Sequence, residues 1–261
     1  MPESSSRPPM PRSWQWQLDG CYSDIEGGPN YGGKPAGSFQ NNSNSVSIVS
    51  LSCPSDNLCV AVLTTPAGQA PNTFRWTRKS GWSSLAKLPP LYHSHALAPW
   101  QYSISCAAGS SFCMAVGRHA NLLNLPGGWR ILEKQSFSRA FPIVSCSTSE
   151  FCMVVSSVNS FTWSRSTGWH PTRIIPRGDL SYYDSLSCPT PKFCMVISIL
   201  GLRDNYVLEW HQGKGWSAPY RIPVGLPESV PVWPGSYVSC PSPQFCAMTF
   251  PARQTVIFWR N

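Results

Sequence analysis

Five segments of the chain share one pattern: Ser-Cys, five or six residues, a second Cys, then a short apolar run. They read SLSCPSDNLCVAV from Ser50, SISCAAGSSFCMAV from Ser103 and IVSCSTSEFCMVV from Ile143. The last two are SLSCPTPKFCMVI from Ser185 and YVSCPSPQFCAMT from Tyr237. The leading cysteines, Cys53, Cys106, Cys146, Cys188 and Cys240, are spaced by 53, 40, 42 and 52 residues. A repeat of this period marks a supersecondary unit that buries its apolar face only against neighbouring copies of itself.

A second pattern follows each cysteine pair. An aromatic strand ends in Trp, and a few residues later comes Gly-Trp. It appears as FRWTRKSGW (Phe74 to Trp82), FTWSRSTGW (Phe161 to Trp169) and VLEWHQGKGW (Val207 to Trp216), with a degenerate NLLNLPGGW ending at Trp129. Each unit therefore reads as four short strands, the make-up of one β-propeller blade. The fifth unit ends in IFWRN, with Trp259 on its third strand and no Gly-Trp after it. SWQWQ (Ser13 to Gln17) is the candidate for the missing strand, which would close the ring by pairing the two chain ends and remove exposed sheet edges. The expectation is an all-β, five-bladed propeller with four-stranded blades spanning 13–261, after a Ser/Pro-rich disordered tail over 1–12.

Composition agrees. The 261 residues include 26 Pro, 19 Gly and 12 Trp, and only 12% are charged. Globular domains average about 25% charged residues, and long solvated helices need more. No apolar run approaches the ~20 residues of a membrane-spanning helix. The net charge is +8, but the basic residues are scattered, with Arg75, Arg78 and Lys79 the densest group. Nucleic-acid binders concentrate Lys and Arg on one face, so no nucleic-acid partner is expected, and no membrane partner.

GWSAPYRIP followed by SYVSCPSPQFCAM resembles the Ser-Cys-Pro/Phe-Cys repeats of actinobacterial proteins. The resemblance covers about residues 45–261 and implies a propeller-like fold. Such repeats occur in exported and sensor-type proteins, and no functional residue carries over from them.

Eleven cysteines divide into five local pairs, Cys53–Cys59, Cys106–Cys113, Cys146–Cys152, Cys188–Cys194 and Cys240–Cys246, plus Cys21. Each pair flanks a tight connection between neighbouring strands, where a disulfide can form. Reduced cysteines used as small core residues are the alternative. Zinc would need four ligands close in space, whereas these pairs lie one per blade, so no metal is expected. Cys21 reads as a structural or surface thiol. MPESSSRPPMPRSW has no apolar stretch of the kind a secretory signal carries, which leans toward the cytoplasm, while five cysteine pairs lean toward an oxidising, exported setting.

The connections leading into each first strand carry the length variation: 20–45, 83–102, 130–142, 170–184 and 217–236. Connections this long are commonly functional. They bring Trp100, Tyr102, Phe141, Tyr182, Tyr183, Trp233 and Tyr237 toward one mouth of the central channel. Rings on a concave, partly wet surface suit sugars or flat apolar ligands; the alternative is that they plug the channel or pack between blades. The recurring Trp76, Trp163, Trp210 and Trp259 read as packing. The acid-base candidates are Asp24 and Glu26, Asp184 beside a first strand, and the pair His93 and His95. Two facing carboxylates would suit glycoside hydrolysis. No phosphate loop, nucleophile elbow or metalloprotease motif is present, and no cofactor is implied.

The first expectation is a monomer that binds a bulky, partly apolar or glycan-like ligand in one asymmetric pocket, since the mouth residues differ between blades. A cofactor-independent enzyme on such a ligand (a secondary-metabolite cyclase or isomerase, or a glycosidase) is the alternative, and a protein-interaction scaffold is third.

Overall fold

The computed structural model describes residues 48–63, 72–87, 102–117, 120–125, 128–132, 137, 142–156, 159–172, 180–200, 204–222, 236–250 and 255–260. The chain divides into two compact units, Met1–Ser43 and Asn44–Asn261, and every described residue belongs to the second. SWQWQ and Cys21 lie outside the described residues.

The second unit is all-β and its sheets follow one another in chain order. The first sheet comprises β1 (Ile48–Ser55), β2 (Leu58–Leu63), β3 (Asn72–Thr77) and β4 (Gly81–Lys87). The second comprises β5 (Ser103–Cys106), β6 (Cys113–Gly117), β7 (Ala120–Leu125) and β8 (Gly128–Ile131). The third comprises β9 (Ile143–Thr148), β10 (Phe151–Ser156), β11 (Asn159–Ser164) and β12 (Gly168–Pro171). In the fourth, β13 (Leu180–Thr190), β14 (Phe193–Leu200), β15 (Asp204–His211) and β16 (Gly215–Trp216) follow in order, and β17 (Tyr220–Arg221) also pairs with β15. The fifth has β18 (Tyr237–Ser242), β19 (Phe245–Phe250) and β20 (Thr255–Arg260). This is a propeller-like arrangement of antiparallel meanders.

The expectation of five four-stranded blades needs correction. Four sheets have the complete four-strand path, and the last has three strands among the described residues. Four stretches read as connections also carry strand: β4 runs on to Lys87, β8 to Ile131 and β12 to Pro171, β13 starts at Leu180, and β17 lies inside 217–236. β17 forms because Ser217 docks on β15: its N–H donates to the Glu209 carbonyl (2.7 Å) and its hydroxyl accepts the Glu209 N–H (3.0 Å).

Each part of the repeat has a local cause. The Gly of each Gly-Trp turns the chain from third to fourth strand with positive φ: 66° at Gly81, 110° at Gly128, 72° at Gly168 and 82° at Gly215. A side chain is strained there, and glycine is not. The second strands β6, β10 and β14 carry unbroken apolar runs because both their faces are covered by neighbouring sheets, as in any strand buried on two sides; every residue of β6 is buried, whereas β19 of the last sheet alternates buried and half-buried residues. First strands alternate instead. In β5 and β9, Ile104, Cys106, Val144 and Cys146 are buried, and the serines between them are half-buried.

Those serines join the sheets. The N–H groups of Ile104 and Cys106 donate to the hydroxyls of Ser50 and Ser52, both at 2.9 Å. Val144 and Cys146 donate to Ser103 (3.2 Å) and Ser105 (2.9 Å). Cys188 donates to Ser145 (2.9 Å), and Val238 and Cys240 donate to Ser185 (3.0 Å) and Ser187 (2.9 Å). The third seam has one bond of this kind because Ile143 stands where the first, second and fourth sheets have the outer serine. No such bond joins β18 to β1 among the described residues.

A row of paired residues crosses each sheet. In the third it runs Cys146, Cys152, Trp163, Trp169; in the first, Trp76 faces Trp82. All five local cysteine pairs are disulfides. Closing so short a loop restricts the unfolded chain by only about 2–3 kcal/mol each. The Phe before a second Cys reaches the next sheet: Phe112 stacks on Trp163 (5.5 Å between centroids) and Phe151 packs on Trp210 (5.9 Å). Trp129 and Trp216 donate their indole N–H to Thr73 (2.9 Å) and Ser160 (2.8 Å) of the preceding sheet.

Two predictions follow from this packing. Ser105→Ala leaves the buried Cys146 N–H without its acceptor and should cost about 1–3 kcal/mol; an unchanged urea midpoint and slope would contradict the role given to the hydroxyl. Cys53 is exposed, whereas the other four leading cysteines are 5–6% exposed. Stepwise reduction with alkylation and mass spectrometry should therefore label Cys53 and Cys59 before any other pair, and simultaneous labelling of all five would refute it.

Candidate functional site

At the end of the strands where the Cys hairpins turn, the fourth and fifth sheets leave a cleft of about 520 Å³. One wall is the β13–β14 turn, Thr190, Pro191 and Lys192, with His211 and Gln212 at the end of β15; the other is Pro243 and Gln244. Phe193 forms the floor and is 2% exposed. The His211 ring stands edge-on to Phe193, with centroids 5.3 Å apart. This volume suits a small ligand.

The backbone of the cleft is fixed locally. Thr190 and Ser242 hydroxyls accept the Lys192 and Gln244 N–H groups, both at 3.3 Å, and the Gln212 N–H donates to the Lys192 carbonyl at 3.0 Å. These turns are thereby set, and Lys192, Gln212 and Gln244 on them are all exposed. His211 is oriented from below: its Nε2 lies 3.1 Å from Glu209 Oε2. That carboxylate is largely buried, and its other oxygen is enclosed without a hydrogen-bond partner. A ring held through Nε2–H presents Nδ1 as an acceptor. The cleft thus offers a cation, two amides, an imidazole and proline rings. The lining joins these polar residues to an apolar floor.

Of the rings expected at the channel mouth, Tyr102, Tyr183 and Tyr237 are among the described side chains. Tyr102 and Tyr183 are 7% and 9% exposed and pack between sheets, Tyr102 with Val60, Val62 and Ile104, Tyr183 with Met153, Val155 and Leu208. Burial pushes both phenols above their ordinary range. Tyr102 lies so close over Gly117 that a Cβ there would be 2.9 Å from its ring. Tyr237 is 56% exposed on β18. Asp184 accepts the Ser236 N–H at 3.3 Å, which ties the fourth sheet to the start of the fifth. Tyr182 lies on β13, with its side chain outside the described residues. Asp24, Glu26, His93, His95, Trp100, Phe141 and Trp233 also fall outside them. No three His, Cys, Asp or Glu side chains come together as a metal site needs among the described residues.

Sequence reading missed the cleft, whose lining comes from turns about 20 and 50 residues apart. A signal exists in hindsight. Lys192 and Gln244 occupy one place in the repeat, two residues before the second Cys, where the third sheet has Glu150.

No family model and no curated protein matches the chain. Among solved structures, the fold is similar to the SapL1 lectin in complex with alpha methyl fucoside: TM-score 0.58, 11% identity, covering 88% of this chain and 81% of that one. It is similar to a variant of the Aleuria aurantia lectin in complex with Fucalpha1-6GlcNAc (TM-score 0.53, 8% identity, 81% and 78% covered). AofleA from Arthrobotrys oligospora aligns with TM-score 0.52 at 10% identity, covering 80% of this chain and 66% of that one. At such identities the likeness is one of fold and supports the propeller-like arrangement of the sheets.

Proposed function

We propose that this protein is a lectin-type binder that takes a glycan-like, partly apolar small molecule in the cleft between its fourth and fifth sheets. The observation that carries the reading is the lining of that cleft. Sugars present C–H faces and hydroxyl edges together, and proline rings beside two amides and an oriented imidazole meet both. Lectins recur among the proteins of similar fold, which agrees with the reading. The cleft is also asymmetric: the combination of Lys192, His211, Gln212 and Gln244 occurs at no other seam of the repeat. One ligand site per chain follows, in place of a site at every seam. The test is a glycan array followed by calorimetry on the best hit. Gln212→Ala and Gln244→Ala should each weaken binding about tenfold, roughly 1.4 kcal/mol, with thermal stability unchanged. Binding undiminished in both would remove the cleft from the function.

The same proposal includes five blades and a ring closed by the chain ends, with SWQWQ as the fourth strand of the last sheet. Trp259 supports it. Its counterparts Trp76, Trp163 and Trp210 each face a tryptophan on a fourth strand, whereas no fourth strand pairs with β20 among the described residues. The double variant Trp14→Ala, Trp16→Ala should speed amide exchange along β20 and lower the melting temperature by several degrees. Unchanged exchange in β20 would rule the closure out.

A further inference from the structure

The glycan reading of the cleft leaves open what kind of sugar it selects, and the charges around the repeat bear on that. In the first sheet, Arg78 pairs with Asp56 at 3.4 Å; in the third, Arg165 pairs with Glu150 at 3.1 Å. Both pairs bridge the turn after a first strand to the turn after a third strand. The fourth sheet differs from the third at both ends. Lys192 stands at the place of Glu150, and Gln212, two residues after Trp210, stands at the place of Arg165, two after Trp163. The acid has become a cation, and the cation that once answered it has become an amide.

Lys192 therefore has no carboxylate within ion-pair distance among the described residues. The facing wall supplies none either, because the fifth sheet has Gln244 at the same place in the repeat. The acidic group nearest in sequence to the lining, Glu209, is held by His211. The cleft lining thus holds one unanswered positive charge and two amides. An exposed lysine alone contributes little to ion pairing, but a charge-assisted hydrogen bond backed by further donors is among the stronger polar contacts.

We propose that the cleft selects saccharides carrying a single negative charge, a uronic-acid carboxylate or a sulfate ester, with Lys192 as the residue that sets the preference. The proposal rests on the cleft being a glycan site. In it the anion sits on Lys192 Nζ between Gln212 and Gln244, and the sugar's uncharged face lies on Pro191 and Pro243.

The experiment titrates the full chain, by calorimetry, with matched pairs: methyl glucuronoside, its neutral methyl ester and methyl glucoside, then the galacturonic series. A 6-sulfated glucoside and galactoside form the second arm, which separates carboxylate from sulfate as the source of the charge. At least one anionic member should bind tenfold or more tighter than its neutral partner, with the gap shrinking as salt rises. Lys192→Gln should erase the preference by bringing the anionic member's affinity down to that of its neutral partner, and Lys192→Arg should retain most of the preference. Equal affinity across every matched pair, or a preference that survives Lys192→Gln, overturns the charge selection while the glycan reading stands. No binding of any saccharide on the array or in titration overturns both.

Discussion

A serine hydroxyl that accepts a backbone N–H from the next sheet is the interaction on which this architecture turns. Radial sheets cannot continue one another's ladders, since their first strands stand at an angle and present N–H groups with no carbonyl in reach. A buried N–H left unpaired is costly. Serine solves the geometry: its short side chain spans the gap, and its oxygen accepts from the neighbouring strand at 2.9–3.2 Å. The alternation of the first strands follows, with apolar residues turned to the preceding sheet and serines to the following one. Where the outer serine is replaced by Ile143, the seam keeps a single bond, Cys188 to Ser145.

The remaining repeat residues extend the same junction outward. The disulfide braces the inner hairpin, the second strand fills the space between sheets with Met, Val and Ile, and paired indoles close the outer edge. A Phe from one sheet lies on the Trp of the next, and indole N–H groups return to a Thr or Ser of the sheet before. Such an assembly is stabilised mainly between nearest neighbours. The turns at the hairpin end are then free to differ, and the fourth and fifth sheets use that freedom to form a cleft.

Much of this was legible in the sequence. The Ser-Cys, Cys-Met-Val, aromatic-Trp and Gly-Trp segments are strands in the expected order, and the cysteine pairs follow their spacing. The work of the serines was not legible, because their partners lie 41 to 54 residues away, on another sheet. The fates of Tyr102, Tyr183 and Tyr237 were equally hidden. All three precede a first cysteine by a few residues, but burial depends on which side of a seam each ring falls. The cleft was invisible for a related reason: each of its turns is an ordinary polar hairpin, and only their juxtaposition across a seam creates a site.

The N–H groups that bond across the seams share a polarity. First-strand N–H groups donate from the later sheet to serines of the earlier one, Trp129 and Trp216 donate backward in the same sense, and the Gly109 N–H donates to the carbonyl of Pro54. A chain leaving the ribosome N-terminus first thus offers each new sheet acceptors that are already in place. The earlier sheet has no need of the later one to satisfy its inward-facing amides. Assembly by accretion, one sheet docking on its finished predecessor, is written into the direction of a hydrogen bond.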